Sequence, residues 1–344
     1  MQKIFHILWC LCFTLSMQAQ QVELKTIQLP VQVSIRTMQA INDSVVWFAA
    51  NRGVWGFTKD GGNNWYIDSI AVDGKYPEFR SMAALNDSTV LLLSIDSPAY
   101  LFRTNNYGNK WQRVYSNFSK GIFFDSMTFK DSLHGIAISD PIDGHFMIIK
   151  TTDGGNKWQE VKVTVPAENG EGCFAASNTN LFWQQNTLIF FFFFSTSRLF
   201  TSDNDGASFL PQNTPMLSGS TMTGIFTMYF ENKTNGLIGG GNYLQSDTTT
   251  TLYQTNNGGK TWQPIKLPEG AFVSCAKTIK TKKDNYIIVT GHNGTYLIDS
   301  RHHIKDIKNI ENQILPFYTI SATPSQKQVW LAGKSGKMAV LKIY

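Results

Sequence analysis

The stretch Thr151-Thr152-Asp153-Gly154-Gly155-Asn156-Lys157-Trp158 is written out repeatedly along the chain in altered form. Thr58 to Trp65 reads T-K-D-G-G-N-N-W, and Thr104 to Trp111 reads T-N-N-Y-G-N-K-W. Ser202 to Phe209 reads S-D-N-D-G-A-S-F, and Thr255 to Trp262 reads T-N-N-G-G-K-T-W. The template is hydroxyl, any, Asp or Asn, any, Gly, any, any, aromatic. Successive copies begin 46, 47, 51 and 53 residues apart. A period in that range is the mark of a repeat architecture.

Each box has the chemistry of a hairpin turn. The Asp or Asn side chain is expected to accept backbone N–H groups two and three residues on, with the hydroxyl adding a similar, weaker bond. Glycine supplies the positive φ that a β-carbon resists. The aromatic then opens the next strand and buries a large ring against a neighbouring unit. Asp60, Asn106, Asp153, Asn204 and Asn257 are therefore assigned to turn formation rather than catalysis.

Around the boxes, short apolar runs alternate with turns and no helical periodicity intervenes, which is an all-β pattern. Each repeat reads as four strands. A first strand opens at Ser34 to Met38, Glu78 to Met82 or Phe123 to Met127, and a second is Val45 to Ala50, Val90 to Ile95 or Gly135 to Ser139. The third ends at the box and the fourth begins with its aromatic. First strands fall near residues 35, 79, 123, 173, 225, 272 and 317, and the last two repeats have lost the box. The chain stops after three strands of the seventh repeat, and Val22 to Leu29 is a spare strand able to complete it. The expected fold is an all-β, seven-bladed β-propeller with four-stranded antiparallel blades, a single domain over residues 20–344 closed by the N-terminal strand. Phe190 to Phe194, five phenylalanines in a row, is read as a strand covered on both faces.

Residues 1–19 have Lys3, an apolar run from Ile4 to Leu15 and Ala19 before a Gln-rich start, the pattern of a secretory signal peptide. The mature protein is expected in the periplasm or outside the cell, as a monomer without an integral membrane segment. Cys173 and Cys275 remain after cleavage and are read as two separate buried thiols. No CxxC, HExxH or His cluster supports a metal site. A net charge of +5 over 344 residues is too diffuse for nucleic acid. The densest basic group, Lys277, Lys280, Lys282 and Lys283, reads as a solvated turn.

The boxes resemble the BNR/Asp-box repeats shared by sialidases, sortilin-type receptors and photosystem II assembly factors. The arrangement most resembles the last group and its secreted bacterial relatives, in which a Phe-Arg pair opens the first strand. Phe79-Arg80 matches that pair and Ile35-Arg36 keeps the arginine. Ser139 to Phe146, Gly170 to Ser177 and Gly224-Ile225-Phe226 are similar to the same branch. The resemblance implies a role in assembling or stabilising an envelope complex. Relatives are also described as oxidoreductases or glycosyl hydrolases, which a fold cannot decide.

A dinucleotide site would need G-x-G-x-x-G before a helix. Gly239-Gly240-Gly241 is the nearest approach, and Leu244 stands where the last glycine belongs. No cofactor is expected. A sialidase needs an arginine triad and a tyrosine nucleophile, and only Arg36 and Arg80 occupy plausible channel positions. A two-carboxylate hydrolase could use Asp125, Asp140 or Glu171. The reading preferred over these enzymes is a non-catalytic propeller that binds a protein or glycan. Loops between second and third strands share a face with the start of each first strand. Arg36, Arg80, Asp125, Glu171, Arg52, Asp140 and His292 should thus meet at one channel mouth, with Asn51, Asp96 and Asn242 around it.

Overall fold

In a computed structural model, which describes residues 22–220, 222–245, 251–308 and 315–343, all five boxes form the same turn. The first-position hydroxyl donates to the third-position side chain, at 2.8 Å for Thr58–Asp60 and 2.9 Å for Thr151–Asp153. The same oxygen accepts the N–H of the fifth-position glycine at 2.8–3.0 Å in every box. The third-position side chain accepts the N–H four residues on, at 2.9–3.1 Å. In the two boxes with Asp it also takes the N–H three residues on. The bonds therefore run one residue further than expected from sequence. The cause is that positions four and five both have left-handed φ, between 55° and 86°, so the chain folds back later than a single such residue would allow.

The fifth-position glycine also packs blade on blade. A β-carbon at Gly108 would lie 2.0 Å from the Trp55 ring of the preceding blade, and one at Gly62 would lie 2.6 Å from Trp330. The box aromatics fill the same seams, Trp111 edge-on to Trp55 at 5.1 Å and Trp65 edge-on to Trp330 at 5.9 Å.

The strands form seven four-stranded antiparallel sheets. Their innermost strands are Ile35–Ala40, Phe79–Ala84, Phe124–Phe129, Leu181–Gln184, Thr223–Phe230, Cys275–Lys280 and Thr319–Ala322. Each inner strand contacts the inner strands of both neighbours, the seventh meeting the first, so the ring is closed. Val22–Gln28 pairs with Lys337–Ile343, from Val22 opposite Ile343 to Gln28 opposite Lys337, and becomes the outer strand of blade seven. A sheet edge that would otherwise be open is thereby covered. The expected leader, residues 1–19, lies outside the described residues. Among those described, no helix is long and apolar enough to cross a membrane.

Thr187–Phe193 carries the phenylalanine run, with Phe190, Phe191 and Phe192 fully buried. Phe192 packs on Phe146 of blade three at 4.5 Å, and Phe193 faces Phe226 of blade five at 6.0 Å. Both faces are covered, which is why polar alternation is missing. The glycines at 239–241 lie within the strand Gly236–Asn242, where a β-carbon at Gly240 would meet the Gly224 carbonyl oxygen at 2.0 Å. Close strand approach accounts for them. Cys173 and Cys275 are both buried and unpaired.

Two expectations need correction. Blade four does not begin its inner strand near residue 173. Gly172 bridges to Phe193, the chain then leaves the sheet, turns at Asn178 (φ 60°) and rejoins at Leu181. Lys277 is not in a solvated turn. It belongs to the inner strand Cys275–Lys280 and is partly buried in the channel, whereas Lys282 and Lys283 are exposed.

Candidate functional site

The antiparallel order places the start of every inner strand and every loop between second and third strands on one face, called the upper face. The boxes lie on the lower face. At the upper end, four inner strands carry the same irregularity, a bulge between Ile35 and Thr37, Phe79 and Ser81, Phe124 and Ser126, and Ile225 and Thr227. A bulge leaves one residue outside the ladder and re-aims its side chain. Those residues are Arg36, Arg80, Asp125 and Phe226. Each is followed by Ser or Thr and then Met, so one local pattern delivers one side chain per blade to the channel.

Arg36 lies over the Tyr318 ring, 3.8 Å from its centroid, a cation–π contact strengthened by desolvation. Burial and the neighbouring Arg80 charge both pull its pKa down, and Tyr318 and Tyr243 oppose them. Arg80 is tied to Glu78, Nε to Oε1 at 2.7 Å. Two guanidinium groups thus share one basin, and among the described residues Arg36 has no carboxylate partner, whereas Arg80 has Glu78.

Asp125 is fully buried, and neither carboxyl oxygen meets a conventional donor. Its pKa is raised well above the ordinary carboxyl range, first by desolvation and then by Asp140, with Arg80 opposing. Asp140 is raised to about 7, chiefly by burial, although its Oδ1 accepts the Cys173 N–H at 2.8 Å. Two carboxylates in one dry site cannot both ionise cheaply. The raised values favour a protonated carboxyl in this pair, and such a proton would supply the donor that Asp125 otherwise lacks. The Cys173 thiol is pushed up by burial and by both carboxyls, so it stays protonated. It receives Asn180 Nδ2 at 2.7 Å.

Beside the charged groups stands an aromatic wall. Phe174 stacks on Phe226 at 4.5 Å, Phe272 meets Phe226 edge-on at 4.7 Å, and Tyr243 meets Phe272 at 5.5 Å. His292 stacks on Phe272 at 4.8 Å. Burial lowers its pKa, and its buried Nδ1 has no partner. Phe174, Tyr243, His292 and Tyr318 are each partly exposed at this mouth.

The remaining candidates lie apart from the basin. Glu171 is buried against Arg198, with Nε to Oε1 at 2.7 Å, and also accepts the Glu168 N–H, so it belongs to blade four's own ion pair. Arg52 is exposed on the rim, donating to the Gln32 carbonyl. Asn51 holds the Ser34 N–H at 2.8 Å, Asn242 caps its own loop, and Asp96 is exposed in an outer groove. Sequence reasoning missed Phe226, Tyr318, Tyr243, Phe174 and Phe272. The signal for two of them was present: Ile225-Phe226-Thr227 and Phe317-Tyr318-Thr319 stand in register with Ile35-Arg36-Thr37.

The floor of the basin was not foreseen. The excursion of blade four carries Ser177, Asn178 and Thr179 across the channel. Asn178 Oδ1 accepts from Ser81 at 2.5 Å and Ser126 at 3.1 Å, and its Nδ2 donates to the Met82 carbonyl at 2.9 Å. Thr319 donates to the Ser177 carbonyl at 3.2 Å, and Thr179 bonds Thr227 at 2.9 Å. Blades two, three, five and seven thus hold one plug, which separates the upper basin from the channel below.

No protein-family model matches the chain, and no curated protein matches it. Solved structures do. Ycf48 bound to D1 peptide aligns with a TM-score of 0.65 and 16% identity over 92% of this chain and 96% of that one. Ycf48 from Cyanidioschyzon merolae aligns with a TM-score of 0.64 and 12% identity over 93% and 98%. A virginiamycin B lyase from Staphylococcus aureus gives 0.65 and 13% identity over 94% and 100%. At such identities the likeness is one of architecture, and this chain is a seven-bladed β-propeller similar to these proteins.

Proposed function

We propose that this protein is an exported, non-catalytic binding propeller that holds a segment of a protein partner at the upper channel mouth and assists assembly of an envelope complex. The observation that carries the reading is the bulge repeated in four blades, which turns Arg36, Arg80, Asp125 and Phe226 into one basin. Convergent polar groups beside an aromatic wall, on a rigid frame, are the usual form of a recognition site. Among the described residues Arg36 has no carboxylate partner, and it suits an acidic or carboxylate-bearing residue of the partner. The description of one solved neighbour as bound to a D1 peptide supports a peptide over a glycan. The resemblance to assembly factors supports the assembly role, and the leader-like start supports export.

The test is an affinity capture from the native host's envelope fraction, comparing wild type with the Arg36→Ala/Arg80→Ala double variant. One partner should be lost from the variant, and a synthetic peptide from that partner should bind wild type alone. Identical partner sets would overturn the reading.

A hydrolase built on Asp125 and Asp140 is the second reading, favoured by their raised pKa values. Its weakness is that Asp125 is 0% exposed, leaving a substrate no access to one of the two carboxyls. Turnover of a glycoside panel, abolished by Asp125→Asn or Asp140→Asn, would replace binding with catalysis.

A further inference from the structure

Below the plug the channel opens again, as a funnel of about 500 Å³ facing the lower side. Residues from all seven blades line it, and Asn178 and Thr179 form its roof. Its partly exposed apolar lining is Leu85, Phe129, Phe182 and Tyr229, whereas Met38, Met82, Met127 and Met228, at one equivalent position of four inner strands, are buried between blades behind it.

Among the described residues that line the funnel, one is cationic, Lys277. Among the described residues its ammonium has no ion pair or hydrogen-bond acceptor; it lies over the face of Tyr229, 5.5 Å from the ring centroid. The other charges nearby do not serve it. Asp131 stands at the rim, where its oxygens take the Leu133 and His134 N–H groups and the His134 ring. The Cys275 thiol is raised by burial and stays neutral. Lys280, the next lysine on the strand, is committed to Glu231. A partly buried ammonium with no acceptor is a ready partner for an anionic group entering the funnel.

We propose that the funnel is a second ligand site, separate from the mouth, that takes a small organic monocarboxylate. The carboxylate meets Lys277, and the apolar body lies on Leu85, Phe129, Phe182 and Tyr229. One ammonium suits a single negative charge; a phosphate would call for several donors converging, as backbone nests or arginine clusters provide. The volume is that of a site for a compact small molecule rather than a folded partner.

The test uses 3-phenylpropionate as probe and neutral 3-phenylpropionamide as control. Lysines of the wild-type protein are reductively methylated with carbon-13 formaldehyde, which keeps their charge, and the Lys277 signal is identified by its absence from Lys277→Met. The acid should shift that signal saturably and the amide should not. By calorimetry on unmethylated protein, Lys277→Met should weaken acid binding by about tenfold or more. The Arg36→Ala/Arg80→Ala variant should bind the acid as wild type does, so failure at the mouth and failure here are distinguishable. Equal shifts from acid and amide, unchanged affinity in Lys277→Met, or no saturable shift up to millimolar acid would each overturn the proposal.

Discussion

Replacing Asp140 by Asn should stabilise the protein, and the gain should grow with pH. The folded protein holds the Asp140 proton to about pH 7, against roughly 3.9 in an unfolded chain. Because the folded-state value is the higher one, the stabilising contribution is complete below the unfolded value and is lost as pH climbs through the folded value. Linkage sets the whole loss at about 4 kcal/mol, of which about 2.5 kcal/mol falls between pH 5 and pH 8. Asparagine matches the neutral acid in shape and can still accept the Cys173 N–H, but it never ionises. The difference in unfolding free energy between Asp140→Asn and wild type should therefore rise by about 2–3 kcal/mol from pH 5 to pH 8. Removing the neighbouring charge also lets Asp125 ionise at less cost, which acts in the same direction. The assay is urea unfolding of both proteins at pH 5, 6.5 and 8, where the other titrating groups cancel in the difference. A difference that stays constant across that range would refute the protonated carboxyl, since a purely steric effect has no pH dependence.

Gly108→Ala should destabilise by about 2–5 kcal/mol, because a left-handed φ is compounded by overlap with the immobile Trp55 ring. Gly121→Ala, with φ 86° and nothing within 4 Å of the added carbon, should lose only about 1–2 kcal/mol. Equal losses in chemical denaturation would remove the blade-on-blade role of the box glycine. Asn178→Gly keeps the left-handed backbone but strips the plug of its bonds to Ser81, Ser126 and Met82, and should cost about 2–4 kcal/mol in the same assay. An unchanged midpoint would mean that the plug does not join the blades.

Much of this protein follows from local chemistry that a reader of the chain can follow. The box names its own turn, since hydroxyl, amide or carboxylate, and glycine are the groups that the bonds require. The alternation of short apolar runs with turns names strands, and the spare N-terminal run supplies the missing fourth strand of blade seven. Arg36, Arg80 and Asp125 were legible because each opens a strand at the same place in the repeat. The same alignment would have revealed Phe226 and Tyr318, had it been read for position instead of charge.

Other features depend on distances across the ring. Glu171 looks like a channel acid in the sequence, yet Arg198, on the third strand of the same blade, claims it. Asp125 and Asp140, on the first and second strands of blade three, interact as carboxyls of raised pKa only because the closed ring buries both away from water. Asn178 reads as an ordinary turn residue until the ring sets Ser81, Ser126 and Met82 around it. Lys277 reads as one of four surface lysines until its strand proves to be innermost. The sequence by itself determined the strands, their turns and the number of blades, because hydrogen bonds between near neighbours and a period of apolar runs suffice for these. The tertiary structure alone decided which charges are paired, which carboxyls are raised in pKa and which charges stand unpartnered in a cavity, because those outcomes depend on burial and on contacts between blades far apart in the chain.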